Sequence, residues 1–202
     1  MSDRDPWEEW DDVLGGLDPE TDTELYQAAV DRAMTLEIGL AARCHVALDQ
    51  VLHTTVAALT GTSMPPNAST SQLIDHIKRA ITRTPLLGPT TNEKAREALS
   101  ASRLANKHRN RVLHDQWMAV FDDDGPSLER IRTDVPGDNM SPTRETLEAI
   151  ASVSRELSAA HFRILGILLF LGLSRGLPPS EVEDQCKNAL ALISGISKSE
   201  RL

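Results

Sequence analysis

A chain of 202 residues with 40% apolar and 25% charged content is long enough to bury a full core, and it has the balance of a soluble globular protein rather than a disordered or fibrous one. Aromatic residues reach only 3%, so the core must come from Leu, Ile, Val and Ala, which favours helix packed on helix. The net charge of −9 argues against a nucleic-acid binder until its distribution is read: residues 1–22 carry nine acids and one base, and the remainder of the chain is near −1.

Residues 1–22 read as an acidic arm ahead of one domain over residues 23–202. Within the arm Trp7, Trp10 and Leu14 fall three and four residues apart, the spacing of one side of a helix. Three large apolar groups in an acidic tail want a surface, and the basic stretch described below is the complementary one. Residues 23–60 are helical, capped by Asp22 or Thr23, with a seam of Ala29, Ala33, Leu36, Leu40, Cys44, Ala47 and Val51. Gly61 and then Pro65 and Pro66 end this helix. Ser69 and Gln72 make a capping box for a short helix striped by Leu73, Ile74, Ile77 and Ile81. After a loop with Gly88 and Pro89, Thr90 and Glu93 make a second box. The helix they open buries Ala95, Ala98, Leu99, Ala105 and Val112 and reaches about Leu113.

From Trp117 the period changes to alternation. Asp123-Asp124-Gly125-Pro126 is a turn cluster, and residues 128–135 alternate weakly, so a small hairpin or irregular loop is expected here. Ser141 and Pro142 read as an N-cap and first helical residue. The helix that follows is apolar nearly all round (Leu147, Ile150, Val153, Leu157, His161, Ile164, Leu165, Leu168) and is expected at the centre of the bundle. Gly176 and the prolines 178 and 179 end it. Ser180 and Glu183 make a third box before a last helix striped by Val182, Cys186, Ala189, Leu190, Ile193 and Ile196. The expected class is all-α: an antiparallel bundle of about five helices, with a short hairpin or loop inserted after the third. The longest apolar run, residues 164–173, is too short to span a bilayer. No basic-then-apolar leader opens the chain, and two cysteines suit a reducing compartment, so the expected location is cytoplasmic, away from membranes.

The chemistry concentrates on the third helix. Arg103, Lys107, Arg109 and Arg111 crowd together with His108 and His114, and no acid interrupts until Asp115. An Arg stays charged and forks onto two phosphate oxygens, and a His titrates near neutrality and handles a proton. Together they suit metal-free cleavage of RNA, in which the 2′-hydroxyl attacks the adjacent phosphorus. Five residues at about 100° each put Arg109 and His114 roughly 140° apart on an ideal helix, whereas Asn110 and His114 share a face. The bland alternative is a solvated basic helix end, common because of the macrodipole.

The order Arg109-Asn110-Arg111-Val112-Leu113-His114, an Arg and a His four residues apart with Asn directly after the Arg, resembles the signature of the HEPN family (higher eukaryotes and prokaryotes nucleotide-binding). The resemblance implies a helical bundle whose motif helix is followed by a loop or hairpin and another long helix. It also implies a homodimer in which two motifs line one cleft, and endoribonuclease activity of the toxin or defence type. Carried over, Arg109 stabilises the phosphate, His114 is general base or acid, and Asn110 orients His114 or the phosphate. Arg103, Lys107 and Arg111 would track the RNA backbone and make binding salt-sensitive. No cofactor or metal is implied, and a toxin of this kind has a small antitoxin partner. Asp115 stands where the family more usually has a small residue, and an acid there repels phosphate. Gln116 stands where one branch has a Tyr that a partner nucleotidylates, so that control is not expected. The competing class is a non-catalytic module that uses the same helix end to bind RNA, a nucleotide or a protein.

Elsewhere, His45, Asp49 and His53 share one face of the first helix, which two His and an acid could use to hold a transition metal; a plain polar face is the stronger reading. His76 and His161 read as structural.

Overall fold

The first long helix, α1 (Thr23–Thr60), runs 38 residues without a break, about 55 Å at 1.5 Å per residue. In this computed structural model, residues 15–18, 21–83, 89–122, 125–132, 142–174, 177–178, 181–182 and 185–195 are described. Among them are five helices and three short strands: α1, α2 (Thr70–Arg83), α3 (Pro89–His114), β1 (Gln116–Asp122), β2 (Gly125–Ile131), β3 (Thr143–Glu145), α4 (Leu147–Leu173) and α5 (Lys187–Ile193). The protein is predominantly helical, a helical bundle with a small inserted sheet. The chain divides into two compact units, Met1–Ala42 with Arg109–Ser154, and Arg43–His108 with Arg155–Leu202.

In the first unit, Val30, Ala33, Glu37 and Ala41 are buried along α1, with Val112 on α3, Leu128 on β2, and Ile150, Ala151 and Val153 on α4. The α1 seam is therefore set one position away from the expected one: Ala33 is shared, but Leu36 is 50% exposed while Glu37 beside it is 2% exposed. A buried acid and, further along, a buried His break the apolar pattern, and the periodicity attaches itself to the neighbouring stripe. Asp22 sits before the helix and its carbonyl accepts from Tyr26 N, 2.9 Å.

The inserted sheet is an antiparallel meander, β1–β2–β3. β1 and β2 pair from Gln116 opposite Ile131 to Asp122 opposite Gly125, so the hairpin is real and Gly125 and Pro126 belong to β2 rather than to the turn. Asp123, Asp124 and residues 133–141 lie outside the described residues. β3 corrects the expectation for Pro142: residues 143–145 pair with β2, and the helix starts only at Leu147. Thr146 caps it, accepting from Ala149 N at 3.1 Å through Oγ1. Strand pairing outweighs the local Ser-Pro signal.

In the second unit the capping box forms as read: Ser69 N donates to Gln72 Oε1 at 2.8 Å, and Gln72 N to Ser69 Oγ at 3.3 Å. Leu73, Ile74, Ile77 and Ile81 are all buried, as are Ala95, Ala98, Leu99 and Ala105 on α3. The helix is already under way at Pro89, so Thr90 falls inside its first turn and not before it, and its side chain lies outside the described ones. Gly61 ends α1 at φ 70 and donates to Ala57 O at 2.9 Å, a left-handed stop that costs Gly nothing. Two polar ties hold α1 in place. His45 Nε2 lies 3.1 Å from Thr70 Oγ1, which donates to Asp49 Oδ1 at 2.8 Å, and His161 Nδ1 lies 3.1 Å from Ala47 O.

α4 carries Leu157, Ala160, Ile164, Ile167, Phe170 and Leu171 into this core. It is not covered all round, because Phe162, Leu169 and Leu173 are 51%, 43% and 52% exposed. By length and composition it is the one described helix that could cross a membrane, with 39% of its most apolar window buried in the protein, as for a soluble core helix. α5 is shorter than expected and starts after Cys186; Ser180, Glu183 and Ile196 lie outside the described residues. It packs so closely on α4 that a Cβ at Gly166 would meet Ile193 N at 2.8 Å and Leu192 Cβ at 2.9 Å.

Two consequences can be measured. Gly166→Val puts side-chain carbons where α5 backbone stands and should cost on the order of 2–3 kcal/mol in urea unfolding, against near-neutrality for Gly39→Ala, whose Cβ meets nothing within 4 Å. Burial pushes the Cys186 thiol above its ordinary value. Above about pH 8.5 the unfolded chain loses that proton while the folded chain keeps it, so this contribution to stability declines as pH rises. Urea midpoints at pH 7.5 and 9.5 should show that decline in the wild type and less of it in Cys186→Ala.

Candidate functional site

α3 stays helical through His114, and Asp115 N still donates to Arg111 O at 3.1 Å. There is accordingly no break before His114 to swing it toward Arg109. The two side chains leave the helix roughly 140° apart, while Asn110 and His114 stand one turn apart on the same face. Asn110 closes part of the gap: Arg109 Nη1 donates to Asn110 Oδ1 at 2.6 Å. The half-buried Arg109 is thus drawn toward the face that Asn110, Arg111 and His114 present to solvent.

The end of α3 is held by the sheet. Trp117 Nε1 donates to Val112 O at 3.0 Å, which satisfies one of the last helical carbonyls. Asp115, the residue expected to repel phosphate, points instead to Arg130, whose Nη1 donates to Asp115 Oδ2 at 2.8 Å. The same guanidinium donates from Nε to Glu145 Oε1 at 3.1 Å, which joins β2 to β3. Side-chain exposure is 11% for Arg130 and 7% for Asp115, so the pair is largely dry. Burial alone lowers the Arg130 pKa, but hydrogen bonds from Asp115 and Glu145 and the charges of both outweigh it and hold the group above its ordinary value. The charge of Asp115 is therefore taken up at the sheet.

On the same helix, Lys107 and Arg111 are exposed. Arg103 is ion-paired with Asp75 of α2, with side-chain exposures of 45% and 55%. A pair that wet is worth about 1 kcal/mol or less and can exchange for a phosphate. His108, given no role from the sequence, has its Nδ1 2.7 Å from Glu156 Oε2 on α4. Arg130, Glu145 and Glu156 were not legible as partners, since each pairs across 15 to 48 residues and no local pattern marks them.

His45, Asp49 and His53 do not assemble as a cation site. His45 and Asp49 turn to Thr70, with His45 Nε2 3.4 Å from Asp49 Oδ2. Among the described residues no group of three His, Cys, Asp or Glu side chains is arranged to hold a metal ion. Trp7, Trp10 and Leu14 lie outside the described residues. No protein-family model matches the chain, and no curated protein or solved structure does either.

Arg130→Met should leave Asp115 buried without its counter-charge and cost about 3 kcal/mol in urea unfolding. Replacing Asp115 and Arg130 together with Asn and Met should recover much of that loss, a coupling that a double-mutant cycle reads directly.

Proposed function

We propose that the protein is a cytoplasmic, HEPN-like endoribonuclease of the toxin or defence type that cleaves RNA without a metal. The observation that carries this reading is the end of α3. Asn110, on the face of His114, holds Arg109 by a hydrogen bond, and the acid that follows His114 is neutralised by Arg130. In this reading Arg109 stabilises charge on the phosphorane, and His114 moves a proton to or from the 2′-hydroxyl or the 5′ leaving oxygen. Asn110 orients Arg109, while Lys107 and Arg111, with Arg103 when it leaves Asp75, follow the phosphates. The order of elements agrees: motif helix, hairpin, then a long helix.

Because Arg109 and His114 diverge on one helix, the reading calls for a second copy whose helix end supplies the missing side of the cleft. A small antitoxin protein would cover that cleft. The divergence is also what favours the second reading, a non-catalytic module that binds RNA, a nucleotide or a protein partner at the same helix end.

Cleavage of a long single-stranded RNA in EDTA separates the two. Arg109→Ala should lower the rate about 100-fold or more, as for other charge-stabilising donors, and His114→Ala at least as much, with both proteins still folded by circular dichroism. No cleavage by the wild type, or an equal rate in His114→Ala, selects the binding module.

A further inference from the structure

One face of α3 combines exposed cations with exposed apolar surface. Leu104, Lys107 and Arg111 stand three and four residues apart, so they are neighbours on one side of the helix. Leu104 is 53% exposed, and Lys107 and Arg111 are both exposed. Other cationic side chains of α3 are engaged: Arg96 donates to Thr82 Oγ1, Arg103 pairs with Asp75, and His108 meets Glu156. An occupant of the Leu104–Lys107–Arg111 face therefore needs acids and large apolar groups together.

Residues 1–14 have that composition. They hold six acids, Asp3, Asp5, Glu8, Glu9, Asp11 and Asp12, against one base, Arg4. Trp7, Trp10 and Leu14 recur among them at the same helical spacing. Two later acids of the arm are used locally: Asp18 N donates to Asp22 Oδ2 at 3.2 Å, and Asp22 N to Asp18 O at 2.7 Å. Twenty-two residues reach up to about 70 Å when extended, more than the roughly 39 Å length of α3. We infer that residues 1–14 dock on the Leu104–Lys107–Arg111 face of their own chain, carboxylates on the cations and indoles on Leu104, and so compete with polyanions for it. The contact stands on charge and apolar complementarity alone; its regulatory meaning rests on the reading of this helix end as an RNA site.

Two measurements on the full-length protein test it. A carbodiimide, which joins a carboxylate to a touching amine without a spacer, should link Lys107 to an acid within residues 3–12 in monomer-sized protein, and 0.5 M NaCl should abolish the link. Absence of that link at low salt, or its confinement to dimer-sized species, overturns the inference. The second measurement is the affinity for a fluorescent 2′-O-methyl 12-mer of uridine, which cannot be cleaved. Neutralising the arm (D3N, D5N, E8Q, E9Q, D11N, D12N) should tighten binding about tenfold at low salt, and adding K107E and R111E should remove the gain. Equal affinity with and without the arm's charge refutes the competition. A cross-link without any oligonucleotide binding upholds the docked arm and removes the RNA reading.

Discussion

Arg130 holds together the part of this protein on which any chemistry at the end of α3 depends. Its guanidinium reaches Asp115, at the step from helix to sheet, and Glu145, on β3, at 2.8 and 3.1 Å. The link ties the last turn of α3 to both outer strands of the meander. It also decides an electrostatic question. A bare carboxylate about 7 Å from a phosphate, at an effective dielectric of about 20, opposes binding by roughly 2 kcal/mol. Paired with a largely dry guanidinium, the carboxylate becomes part of a dipole and most of that opposition cancels. The acid beside His114 then serves as an anchor, and its cost to anion binding is small.

How much of this was legible in the sequence follows from the range of each interaction. Signals confined to one turn were read correctly: the Ser69–Gln72 box, the Leu73–Ile81 stripe, the Gly61 stop and the buried side of α3 all form. Signals that depend on what lies opposite were misread. Pro142 looks like the first residue of a helix, but β2 offers residues 143–145 a pairing edge and the helix waits for Thr146. The α1 seam was drawn through Leu36 because Glu37 and His45 are polar; both are buried, and His45 is satisfied by Thr70 from another helix. A buried polar residue with a distant partner looks, in one dimension, like a solvent position.

The motif shows the same division. Its placement at the end of a helix that leads into a hairpin was readable, because helix periodicity and the switch to alternation are local. Its geometry was readable only as a constraint. Five residues of regular helix separate Arg109 from His114, and α3 keeps its regularity to the end, so the constraint stands. Asn110 narrows the separation by drawing Arg109 round the helix, but one hydrogen bond moves a guanidinium by a few ångströms and does not reverse its direction. Reactive groups must be held near contact geometry to matter, and small misplacements forfeit large factors in rate. A cleft completed by a second copy is the economical way for such a helix end to meet a phosphate from both sides.

The acidic arm belongs to the same electrostatics. A segment tethered to its own target acts at an effective concentration in the millimolar range. An arm whose intrinsic affinity for the Leu104–Lys107–Arg111 face is only about 1 mM would therefore cover it roughly half the time. Long polyanions displace such an arm readily, because they gain a counterion-release term at each phosphate they bring. Short anions bring one or two phosphates and gain little. A weak, highly charged arm thus filters by length: extended RNA reaches the cations, and mononucleotides and isolated acidic side chains meet a face already in use.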